Sequence, residues 1–118
     1  MRDFKKLEIW QLSIKIVTSI YKIADKLPSN ERFGIRSQIY RAAVSIPSNI
    51  AEGCSRSSEA DFKRFLEIAL GSAFELETQL IIINELELVD KNVVNSVIEL
   101  LKLEQKKTNS LISKIKYN

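Results

Sequence analysis

Histidine is absent from this chain of 118 residues, and cysteine occurs only once. Without histidine, Ser-His-Asp and Cys-His catalysis are excluded. A zinc site of the usual Cys/His type within one chain is excluded as well. One cysteine forms no internal disulfide, so nothing in the composition calls for an oxidising compartment. Glycine occurs 3 times and proline 2 times. So few breakers favour a handful of long helices over many short strands. No apolar run approaches the roughly 18 residues of a membrane span. The N-terminal MRDFKKLEIW lacks an apolar signal core and a cleavage site. The expectation is a cytoplasmic protein with no membrane association.

What is present is apolar residue at helical spacing. The hydrophobic share is 45% and the charged share 28%, the balance of a globular chain rather than a disordered one. The length fits one domain, taken here as residues 1–118. Leu7, Trp10, Ile14, Val17, Tyr21 and Ala24 step by three or four, which predicts a helix over about 4–27 that Pro28 ends. Ile35, Ile39, Ala42, Ala43, Ile46 and Ile50 predict a second helix over about 30–53. Its period continues through Pro47, where a kink is expected, and Gly53 reads as a left-handed stop. Ser58 and Asp61 form a capping-box pattern before a third helix over about 59–87. Asp90 or Asn92 caps a fourth over about 92–115, with Val94, Val97, Ile98, Leu101, Leu111, Ile112 and Ile115 on its face. The fold class is all-α, an up-down-up-down four-helix bundle.

Little in the chain supports chemistry. A di-metal bundle site needs Glu-x-x-His motifs. The carboxylates Asp61, Glu67, Glu75 and Glu77 lack ligand spacing. SIPSNIAEGCSR at 45–56 has one glycine and follows a helix, so it is no phosphate loop. Cys54, near Arg56, reads as a small packing residue because no base activates it. No enzyme, no metal and no cofactor are therefore expected.

The distribution of charge says more than the net of +3. Residues 1–64 carry 12 basic and 7 acidic side chains, whereas residues 65–90 carry 6 acids and no base. Arg56, Lys63 and Arg64 flank the turn between the second and third helices, and Lys102 and Lys106 stand one turn apart on the fourth. These five are the candidate phosphate contacts, of the kind that position a polyanion without reading its sequence. Arg41, Ser45, Ser48 and Glu52 share one face of the second helix, at i, i+4, i+7 and i+11. Their small middle and charged ends predict a contact seam, with Glu75 or Glu77 the natural partner of Arg41. Gly71, Ser72 and Ala73 stand consecutively inside the third helix, where a glycine costs about 1 kcal/mol. A close crossing by another helix is the expected reason, and Gly71, Ser72 and Glu75 join the seam.

Trp10 within LEIWQLS, LPSNERFGIRSQIYRAAVSIPSNIAEGCSR at 27–56 and FKRFLEIALGSAFELETQL at 62–80 resemble one family. It is the four-helix-bundle proteins encoded in intervening sequences of bacterial 23S ribosomal RNA genes. The resemblance spans about residues 4–115, with the final helix its least diagnostic part. It implies a cyclic homo-oligomer, a pentamer, associated with ribosomal or other structured RNA and without an established catalytic activity. It also extends to accessory proteins of diversity-generating retroelements, which bind nucleic acid and a reverse transcriptase. The chain reads as a non-enzymatic, oligomeric, RNA-associated bundle. The alternatives are a protein-interaction scaffold and a reverse-transcriptase accessory protein.

Overall fold

The computed structural model describes residues 2–31 and 34–116. Four long helices, α1 (Glu8–Lys26), α2 (Ile35–Cys54), α3 (Glu59–Glu85) and α4 (Lys91–Lys114), make up the described residues together with two single 3-10 turns at Phe4–Lys6 and Ser29–Glu31. Each helix packs on its chain neighbours, and α4 returns to α1, so the four form a square in cyclic order. The result is a rod of 48 × 23 × 21 Å. None of the helices is long and apolar enough to cross a membrane.

Local chemistry sets most of the ends. Leu27 is extended (ψ 148°), as its position before Pro28 requires, and closes α1. The Ser58 hydroxyl accepts the Asp61 amide at 3.1 Å and opens α3. Asp90 caps α4 by accepting the Asn92 amide at 2.8 Å. At the end of α3, Glu87 takes a left-handed conformation (φ 54°), and the Leu88 amide reaches back to the Ile83 carbonyl at 3.1 Å. That is the glycine-type helix exit made by a non-glycine residue.

Three expectations need correction. The first helix does not start at residue 4: a separate turn capped by Asp3 precedes an extended Leu7, and α1 begins at Glu8. The second starts at Ile35, after Gly34, rather than near 30; Arg32 and Phe33 lie outside the described residues. Gly53 is not a left-handed stop, since none of the described glycines has positive φ and α2 continues to Cys54. Through Pro47, α2 runs without interruption, with the proline ring buried.

The core is a continuous column. Ile16, Ile20 and Ile23 of α1 meet Ile39, Ile46 and Ile50 of α2, Phe62, Leu66, Leu76 and Leu80 of α3, and Val94 and Leu101 of α4. Close approach of α2 and α3 depends on small residues. A Cβ built on Gly53 would lie 2.8 Å from Phe65 Cβ and 3.4 Å from the Phe62 carbonyl oxygen. Both are anchored to the α3 backbone, so neither can swing away. At Gly71 the same Cβ meets nothing within 4 Å, so the expected close crossing there is absent within one chain. The two glycines should therefore respond oppositely to alanine. Gly53→Ala should destabilise, with about 1–3 kcal/mol of overpacking offset in part by the gain in helix propensity. Gly71→Ala should stabilise by up to about 1 kcal/mol. Urea denaturation of both variants checks this, and shifts of the same sign would contradict it.

Candidate nucleic-acid interface

Antiparallel wrapping brings the start of α1, the end of α2, the start of α3 and the end of α4 to one end of the rod. A backbone hydrogen bond from the Arg2 amide to the Cys54 carbonyl (3.1 Å) fastens the N-terminal segment to the exit of α2. Lys107 of α4 pairs with Glu8 of α1 at 3.2 Å, which fixes the register of the last helix against the first. Basic groups far apart in sequence thus gather here: Arg2, Lys5 and Lys6, then Arg56, Lys63 and Arg64, then Lys114 and Lys116.

The arginines at this end are held by rings as well as by acids. Arg56 and Arg64 both lie against Phe65, with guanidinium carbons 4.8 and 4.5 Å from the ring centroid. Arg56 pairs with Glu52 at 2.9 Å and Arg64 with Asp61 at 3.7 Å. Arg2 lies 3.9 Å over Phe62 and pairs with Glu59 at 2.7 Å. Such exposed pairs contribute little stability and exchange readily for another anion. The ring contacts hold the planar guanidinium groups in place, and planar guanidinium is suited to bidentate contact with phosphate. Lys102 and Lys106 are not part of this end. They line a groove on the α3/α4 face with Leu70, Phe74, Gln105 and Asn109.

The seam residues separate into two groups. Ser45 and Ser72 share a hydrogen bond of 2.8 Å across α2 and α3, and Asn49 donates to both the Ser45 hydroxyl and its carbonyl. These belong to the contact between helices of one chain. Arg41 and Glu75 line a polar groove of about 570 Å³ with Gln38, Ala42 and Ser45. Glu52 is taken by Arg56, and Ser48 and Gly71 are exposed. Glu77, the other candidate for Arg41, accepts from Gln105 of α4 at 2.8 Å. Cys54 is buried at this end of α2, and burial pushes its thiol up against the opposing pull of Arg2, which fits a packing role.

Two apolar surfaces lie on opposite sides of the rod. On the α1/α2 face, Trp10, Ile14, Val17, Val44, Pro47, Ser48 and Ala51 form a shallow groove of about 340 Å³. Tyr21 and Tyr40 extend it, with ring centroids 4.5 Å apart. On the α3/α4 face, Phe74 is 58% exposed, with Ile81 also open to solvent.

Comparison with known proteins decides the relationship. The model of the 23S rRNA-intervening sequence protein family matches residues 5–110. The chain belongs to this family. A crystal structure of a Bacteroides thetaiotaomicron protein of unknown function, from the S23 ribosomal protein family, is similar at 27% identity with a TM-score of 0.84. The match covers 90% of this chain and 99% of that one. No curated protein matches.

As a member of the 23S rRNA-intervening sequence protein family, the chain has the bundle that its helical periodicity and its motifs anticipate. Among the described residues no group of three His, Cys, Asp or Glu side chains could hold a metal. Sequence reasoning missed Asn49, though it stands one turn after Ser45 on the same face. It missed Arg2 as the clasp of the basic end. It also missed Glu104 and Thr108, which are fully buried in α4. The spacing held the signal for that pair, since positions 101, 104, 108 and 112 continue one stripe.

Proposed function

We propose that the protein is a non-enzymatic, cytoplasmic, RNA-associated bundle that acts as a ring of identical copies, with the pentamer its family resemblance implies. The observation that carries this reading is the basic end, where Arg56, Lys63 and Arg64 stand with Lys5 and Lys6 of the N-terminal turn and Lys114 and Lys116 of the tail. A ring repeats that end around its axis. Five copies carry a formal charge of about +15, so a modest protomer charge becomes an extended basic rim. Phosphate contacts of this kind bind structured RNA by shape and charge. Lys102 and Lys106 flank the apolar α3/α4 face and contribute at the joint between copies.

Two unlike apolar faces on opposite sides of one rod support the ring. When the α1/α2 groove of one copy receives the α3/α4 ridge of the next, the contact is head-to-tail, the kind that makes a ring where the rotation between copies closes. A protein-interaction scaffold or a reverse-transcriptase accessory would use the same faces for a different chain, and the scaffold reading leaves the gathered bases unexplained.

Titration of structured ribosomal RNA fragments at several salt concentrations tests the proposal. Affinity should fall steeply with salt. Replacing Arg56, Lys63 and Arg64 together by glutamine should flatten the log–log salt slope by about 2–3, while Lys102 and Lys106 replaced by glutamine should change it less. No binding at low salt, or a slope indifferent to the triple substitution, would sink the reading.

A further inference from the structure

Glu104 lies on the core-facing stripe of α4 between Leu101 and Thr108 and has 0% of its surface exposed. One carboxyl oxygen accepts the Thr108 hydroxyl at 2.8 Å. The other carboxyl oxygen has no hydrogen-bond partner among the described residues. By the pairings of Lys107 with Glu8, Gln105 with Glu77 and Ser45 with Ser72, the charged groups near this level are Glu8 and Lys15 on α1, Arg41 on α2, Glu75 and Glu77 on α3, and Lys102, Lys106 and Lys107 on α4 itself. Lys107 is taken by Glu8, and Glu77 by Gln105. A carboxylate enclosed without a cation or a full set of donors is strongly disfavoured against the neutral acid.

We propose that Glu104 is a proton-linked latch on the α1–α4 seam, closed while the carboxyl is neutral and opened by its ionisation. A cleft of about 260 Å³ on that seam, lined by Leu7, Glu8, Ile9, Lys107, Ser110, Leu111 and Lys114, lies one turn along α4. Its lining residue Lys107 stands three positions from Glu104, so opening the seam there would admit water to the carboxylate and release Lys107 from Glu8 as a cation for it. Burial pushes the carboxyl up to about 7, with the Thr108 hydrogen bond opposing, and no charge on the neighbouring helices is among the causes.

The unfolded chain releases this proton near 4.5, the folded one near 7. Between these values the folded state keeps a proton that the unfolded state has lost, so stability falls as pH rises. The unfolding constant should rise about tenfold per pH unit across that window, roughly 300-fold in all, and level off above it.

Glu104→Gln keeps the shape and an acceptor for Thr108 but has no proton to lose. Urea unfolding of both proteins from pH 4 to 8, at one protein concentration, isolates Glu104 because the other carboxylates cancel in the difference. The wild type should lose ground to the variant by about tenfold per unit between 4.5 and 7. Above pH 7, amides in the second half of α4 should exchange faster in the wild type than in the variant, once intrinsic rates are divided out. A carbon-13 titration of the Glu104 carboxyl in the wild type needs no variant and should show a midpoint near 7. Parallel stability profiles, or a carboxyl midpoint near 4.5, would overturn the proposal. The latch stands on the geometry of one protomer and does not depend on RNA binding.

Discussion

Replacing Phe62 by alanine should cost the fold about 3–5 kcal/mol, a large share of the stability of a domain this size. Phe62 is fully buried in the first turn of α3. Its ring stands beneath Gly53, where a Cβ would already lie 3.4 Å from its Cδ1 atom. Arg2 covers the outer side at 3.9 Å and is tied to the end of α2 through the Cys54 carbonyl. One ring therefore joins the N-terminal segment, the exit of α2 and the start of α3. Removing it leaves a void that the flanking helices fill only in part, because both are anchored along their lengths in the isoleucine column. The melting temperature should drop by roughly 10–20 °C. Arg2→Ala should cost far less, about 1 kcal/mol, since it loses an exposed ion pair and a cation–π contact but no buried volume. Urea denaturation should show a lowered midpoint with an unchanged slope for Phe62→Ala. Equal costs for the two variants would mean that the clasp, rather than the buried ring, holds this end together.

The helical core was legible because helix periodicity is a local property. The apolar residues at 16, 20 and 23 and at 39, 46 and 50 recur at the helical interval and face the core in the structure. The boundaries near residues 4–7 were not legible. Leu7 is extended yet half-buried and packs on the core, so it prolongs the apolar stripe past the point where the helix stops. Gly53 was misread for a different reason. A glycine near a helix end usually signals backbone freedom, but here the constraint is the Phe65 Cβ of another helix, which depends on how closely α2 and α3 approach. The basic end lies between these cases. Its members are separated by more than fifty residues, yet up-down topology alone brings both ends of the chain to the turn between α2 and α3. The clasp of Arg2, with its ring and its acid, depends on side-chain geometry that no periodicity encodes. Glu104 was hidden by its own chemistry, since a charged residue type is read as solvent-facing even at a core position.

Val44→Glu should convert the proposed ring to single protomers without unfolding them. Val44 is 40% exposed and stands in the groove of the α1/α2 face, so a carboxylate there is hydrated in the free chain. Inside a joint it would lose its water, and even with Arg41 beside it and Lys102 and Lys106 flanking the facing ridge, that desolvation costs several kcal/mol at every joint. Phe74→Glu should do the same from the opposite face. Mixing the two variants separates a head-to-tail joint from a symmetric one. Each variant keeps one intact face, so the α3/α4 ridge of Val44→Glu still fits the α1/α2 groove of Phe74→Glu. The remaining pair of faces carries a carboxylate on both sides. The mixture should form a one-to-one dimer and stop there, whereas each variant alone stays monomeric. A symmetric groove-to-groove contact would leave Phe74→Glu fully assembled, and light scattering distinguishes these outcomes directly. Far-ultraviolet circular dichroism should show all three species equally helical, because both substitutions lie outside the isoleucine column that holds the bundle.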